Sequence, residues 1–125
     1  MTLKKTPAWK AFSKYIRQRD KGKCFTCPKR DDPRAMDAGP FFHNCAIMFF
    51  DARFVRCQCT GCNRFKHGNL GIYAINLIGE MGMEEFKKAE RLSKEYKNWH
   101  SASAKKELKV IKEKYEKLFR MFPQN

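Results

Sequence analysis

The chain has 125 residues, enough for one domain with a helical appendage, and a 42% hydrophobic content that supports only a modest core. Lys and Arg number 27 against 13 Asp and Glu, and the resulting +14 favours a polyanionic partner, DNA or RNA, over a membrane surface. The longest apolar run, "CAIMFF", excludes a bilayer-spanning helix, and "MTLKKTPAWK" lacks the apolar run of a secretory signal, so the expected compartment is a reducing cytoplasm.

In chain order, the first element is a helix. Thr6 can cap it, Pro7 suits its first position, and Trp9, Phe12 and Ile16 mark one buried face. Gly22 is a natural stop. The knuckle "CFTC" follows, then "PKRDDPRAMDAGP", a polar loop. Residues 41–56 are rich in Phe, Ile, Met and Val and predict two short strands joined by a turn near Asp51. A second knuckle, "CTGC", leads into a helix around Cys62 to His67. Another helical piece aligns Ile72, Ile75 and Ile78 and stops at Gly79 or Gly82.

The last forty or so residues predict two charged helices. Glu84 and Glu85 fall in the first turn of one, where they suit the macrodipole. Ser101 or Ser103 caps the other, and His100 lies in the loop between them. In the final helix Leu108, Ile111, Tyr115, Leu118 and Phe122 form a seam at coiled-coil spacing. Its expected partner is the preceding helix of the same chain, giving a helical hairpin, with a dimer as the alternative. The division expected is a zinc-binding domain over 1–82 and a helical extension over 83–125.

Cys24-x2-Cys27 and Cys59-x2-Cys62 are the most specific feature. A two-residue gap lets one tight turn present two thiolates to one ion, and zinc takes four such ligands in a tetrahedron. "CQC" leaves open whether Cys57 replaces Cys59. Four cysteines close the coordination sphere, so the expected Zn2+ is structural. A knuckle, a hairpin, and a second knuckle opening a helix follow the order of a treble-clef finger. The fold class expected is therefore α+β: a zinc-bound ββα core with an N-terminal helix and a C-terminal helical hairpin.

The segments "AFSKYIRQRDKGKCFTC", "DAG" and "FFDARFVRCQCTGCNRFKHGNLGIYAINLIGEMG" resemble the NinG/Rap proteins of lambdoid bacteriophages, from about Trp9 to the end. Proteins of that family are HNH-type nucleases that resolve branched DNA in recombination. The resemblance implies a histidine as general base, an asparagine orienting its ring, and a residue at the helix start holding Mg2+ or Mn2+ against the scissile phosphate. Asn63 occupies the helix-start position. Pro40 stands where the base follows "DAG", and Phe54 stands where the orienting asparagine falls. His43 is the candidate displaced base, and His67, one turn past Asn63, is a further candidate ligand. Arg53, Arg56, Arg64 and Lys66 are the expected phosphate contacts, with Phe54 and Phe65 interleaved as possible stacking or wedging residues.

Two function classes follow. One is a DNA-binding protein acting on branched or single-stranded recombination intermediates, with cleavage in question because two catalytic positions are replaced. The other is a catalytically inert HNH-like scaffold that binds and inhibits a host DNA-processing or defence protein. A monomer and a dimer are both compatible with the sequence.

Overall fold

The computed structural model describes residues 3–43, 45, 47–95 and 102–123. Helix α1 spans Pro7–Arg19. Thr6 caps it as expected: its side-chain oxygen accepts from the Trp9 amide at 3.1 Å. The chain leaves α1 through Gly22, which has φ +68° and donates its amide to Arg17 O. A Cβ at Gly22 would lie 1.9 Å from the Asp31 carbonyl oxygen, so both the turn and the close approach need glycine.

The strands lie elsewhere than the apolar run predicts. β1 is Asp37–Pro40 and β2 is Val55–Gln58, paired antiparallel with Asp37 opposite Gln58 and Pro40 opposite Val55. Residues 41–54 instead connect the strands and contain a 3-10 turn at Ile47–Phe50. Their apolar content serves packing, not pairing: Cys45, Met48 and Phe54 are buried side chains of a core. "DAGP" forms a strand despite its weak propensity because β2 supplies its partner, and tertiary context overrides propensity of this kind. Pro40 is tolerated at the strand end, where the next amide, Phe41 N, donates to Phe54 O.

The helix expected around Cys62 to His67 is a π-helical turn at Gly61–Phe65, opening within the second knuckle. His67 and Asn69 then take left-handed backbone angles, which end the turn and redirect the chain. α2 runs Leu70–Met81, passes through Gly79 and stops at Gly82. Its buried side chains are Tyr73 and Leu77, whereas Ile72 and Ile75 point to solvent at 45% and 66% exposure. α3 spans Met83–Glu95 and α4 spans Ala102–Arg120. His100 and Ser101 lie outside the described residues.

The sheet separates two cores. On one side Ala38 and Val55 pack with Trp9, Phe12 and Ile16 of α1 and with Tyr115 of α4. On the other, Phe54, Met48 and Cys45 pack with Tyr73 and Leu77 of α2 and with Phe86 and Ala89 of α3. The seam of α4 therefore closes on α1, with Tyr115 and Phe12 ring centroids 4.6 Å apart. This corrects the expected α3–α4 hairpin. The aromatic face of α1 offers Phe12 and Tyr15 to the seam, while Phe86 and Ala89 of α3 are already committed to the other core. No helix among the described residues is long and apolar enough to cross a membrane.

Candidate metal centre and the cleft beside it

The two knuckles converge. The Sγ atoms of Cys24, Cys27, Cys59 and Cys62 all lie within 4.8 Å of one another, and Cys27 and Cys59 sulfurs are 3.6 Å apart. A zinc ion with ligands near 2.3 Å sets its sulfurs about 3.8 Å apart, so the cluster fits a tetrahedral ion. None of the four forms a disulfide. Geometry separates Cys57 from Cys59. Cys59 joins the cluster, whereas Cys57 is a buried β2 residue whose amide donates to Asp20 Oδ2 at 2.8 Å.

The surroundings suit thiolates. The Cys62 amide donates to Cys59 Sγ at 3.4 Å, the Lys29 amide to Cys27 Sγ at 3.5 Å, and Asn69 Nδ2 to Cys62 Sγ at 3.8 Å. Burial raises the Cys24 thiol, but hydrogen bonds from the Cys59 and Thr26 backbone outweigh it and hold the thiol down to about 6. Burial and the neighbouring sulfurs push Cys27 up to about 12. Four crowded thiols cannot all ionise alone, and a cation at their centre removes that conflict. With all four positions taken by sulfur, such an ion holds the fold and leaves no open position for a reacting water.

A polar cleft of about 470 Å³ adjoins the centre, lined by Lys4, Arg17, Arg34, Asp37, Asn63 and Arg64, among others. Asn63 follows Cys62 directly, so the cluster fixes its position. Its Nδ2 donates to Asp37 Oδ2 at 3.1 Å, and Arg64 pairs with the same carboxylate at 3.2 Å. Asp37 and Asn63 thus bring two oxygen-bearing side chains together at the cleft. Lys4 also belongs here; burial lowers its pKa while the Asp37 charge raises it.

The other expected site residues scatter. His43 is exposed and lines a separate pocket with Phe41, Phe42, Cys45 and Leu70. Its Nε2 lies against Gly68, 3.1 Å from where a Cβ there would sit. The ring is only partly shielded from water, and that partial desolvation, then the charge of Lys4, lowers its pKa below 6.5. His67 and Lys66 are exposed and do not line the cleft. Arg53 pairs with Asp51 at 2.9 Å and remains 60% exposed. Arg56 turns inward, pairing with Glu80 at 2.7 Å and lying 4.6 Å above the Phe25 ring, so it is no free surface cation. Phe54 is fully buried, which removes it as a stacking residue; Phe65 is 80% exposed. Pro40 is fully buried as well. The positions that the resemblance reserves for a base and its orienter are therefore apolar core.

Asp37, Lys4, Thr26 and Gln58 were not singled out from the sequence. Gln58 is fully buried and donates Nε2 to Gly68 O at 2.8 Å and to Thr26 Oγ1 at 3.0 Å. Its Oε1 has no hydrogen-bond partner among the described residues and packs against Gly39. The one sequence signal for Gln58 was its place between two cysteines in "CQC".

Comparison with known proteins gives a consistent result. The family model described as Bacteriophage Lambda NinG protein matches residues 4–122. Protein ninG of Escherichia phage 933W is 31% identical over 112 residues, covering 87% of this chain and 53% of the relative. Protein ninG of Salmonella phage P22 is likewise 31% identical over 112 residues, and that of Escherichia phage lambda is 34% identical over 80 residues, covering 62% of this chain and 39% of the relative. The chain thus spans about half the length of the first two of these curated relatives. No solved structure matches.

Proposed function

The chain belongs to the NinG family of bacteriophage proteins, and from that premise we propose that it binds branched or single-stranded DNA of recombination intermediates. In this reading a Zn2+ ion held by Cys24, Cys27, Cys59 and Cys62 builds a treble-clef, HNH-like scaffold. The observation that carries the reading is the π-helical turn at Gly61–Phe65. Its buried ligand Cys62 fixes a run in which Arg64, Lys66 and His67 are exposed, next to a cleft with Lys4, Arg17 and Arg34. Cations held this way neutralise phosphates and release counterions.

Binding without efficient cleavage fits best. Asp37 and Asn63 offer oxygen donors of the kind Mg2+ or Mn2+ takes. Among the described residues no histidine lines their cleft, and Pro40 and Phe54 are buried. His43, in its own pocket, is the remaining candidate base. The test is binding of a four-way junction, a single strand and a duplex between 50 and 200 mM salt, a range over which ~6–10 phosphate contacts cost ~10³–10⁵ in affinity. Arg64→Ala and Lys66→Ala are each expected to weaken all three and flatten the salt dependence by about one phosphate. Absence of binding at the low-salt end overturns the proposal. Metal-dependent nicking abolished by His43→Ala would restore catalysis to it.

A second reading, an inert scaffold docked on a host protein, draws support from exposed Ile72 and Ile75 on α2. It predicts a complex from infected cells that survives nuclease treatment and is lost on Ile75→Lys.

A further inference from the structure

We propose that Phe65 is the residue that distinguishes unpaired from paired DNA, by stacking its ring on an exposed base; this rests on the DNA-binding reading above. At 80% exposure Phe65 is more open than the other exposed large apolar side chains among the described residues, including Met121 at 70% and Ile75 at 66%. The exposure is built in. The i→i+5 turn closes with the Lys66 amide on Gly61 O at 2.9 Å, and the Gly68 amide holds Cys62 O at 2.9 Å. With Cys62 buried in the sulfur cluster, the turn's outer side must carry Phe65 into solvent.

Its neighbours define the partner. Arg64 and Lys66 are exposed on either side, and His67 follows. A protein surface that takes up a phenylalanine is ordinarily apolar and does not call for a cation on each flank. A nucleic-acid strand presents both chemistries at once, a π face for the ring and phosphates for the flanking charges. Ile75 and Val110, also exposed, are aliphatic and offer no π face.

The base must have an open face. Within a duplex both faces of each base are already stacked, so a protruding ring gains a partner only on a single strand, at an end, or at a branch point. Phosphate contacts are common to all three forms. Phe65 therefore supplies the preference and the cations supply the general affinity.

The experiment uses the full zinc-loaded chain and its Phe65→Ala, Phe65→Leu and Phe65→Trp variants. Fluorescence anisotropy is read on a single strand, a four-way junction and a duplex of matching sequence. Phe65→Ala and Phe65→Leu are expected to lose about 5- to 100-fold on the single strand and junction, with the duplex changed less than about twofold, while Phe65→Trp retains the preference. Unchanged thermal unfolding and zinc content exclude misfolding, as an exposed side chain predicts. Equal loss on all three DNAs, or no loss on any, overturns the inference and leaves DNA binding standing. Failure of the wild-type chain to bind any of the three overturns both.

Discussion

Gln58 ties three parts of the molecule together with one amide. Its Nε2 reaches the Thr26 hydroxyl in the first knuckle and the Gly68 carbonyl beyond the second, while Oε1 lies over Gly39 in β1. The Gly68 carbonyl can only accept, so the NH2 group must face it. That orientation turns Oε1 toward Gly39, where a Cβ would sit 1.8 Å away. Gly39→Ala is expected to expel a locked, buried side chain and cost about 2 kcal/mol, from overpacking and broken hydrogen bonds, measured by denaturant titration. His43 gives a pH prediction. Its folded pKa lies below 6.5, so the stability it contributes is present above the unfolded value and is lost as pH falls through the folded one. Melting temperatures of wild type and His43→Gln should run parallel above about pH 7 and diverge below about 6.5, with the wild type falling faster.

Among the elements, α1 does the most joining. Its apolar face packs on the sheet and on α4, and its C-terminal end stitches to β2: Arg19 donates to Ala52 O at 2.7 Å and Val55 O at 2.9 Å, while Asp20 accepts from Cys57 N. Tyr115 closes this layer against Phe12 and Tyr15. Tyr115→Ala is expected to cost about 3–5 kcal/mol through the cavity it leaves. Val110→Ala, at a residue 62% exposed, should stay within about 0.5 kcal/mol. If α4 instead closed on α3, Phe12→Ala would leave α4 ordered; on the observed packing the two substitutions share a partner and their costs do not add. The α1–α4 seam was legible as a seam from the 3–4 spacing of Leu108 to Phe122. Its partner was not, because periodicity fixes which face of a helix is buried and says nothing about what buries it.

For the whole molecule, the sulfur cluster is the expected keystone. It joins the loop after α1 to the turn before α2, and its third, small core contains little besides Met36, Cys57 and the four cysteines. One zinc per chain is expected by elemental analysis. Its removal by a chelator, or Cys59→Ser, should abolish cooperative unfolding; Cys57→Ser should bind zinc at the same stoichiometry. Binding displaces thiol protons, so retention of the metal is expected to weaken as pH falls.

The sequence by itself determined the family, the α+β class, the four clustered cysteines, α1 with its Thr6 cap and the seam of α4. These rest on local chemistry: two-residue spacings, caps and helical periods act through neighbours a few positions away. Only the tertiary structure decided that "DAGP" and not the aromatic run forms β1, that α4 lies on α1, that Arg56 is spent on Glu80 and Phe25, and that Phe54 is core while Phe65 faces water. Each of those outcomes is set by a partner brought from far along the chain, and residues identical in composition are told apart only by what the fold places against them.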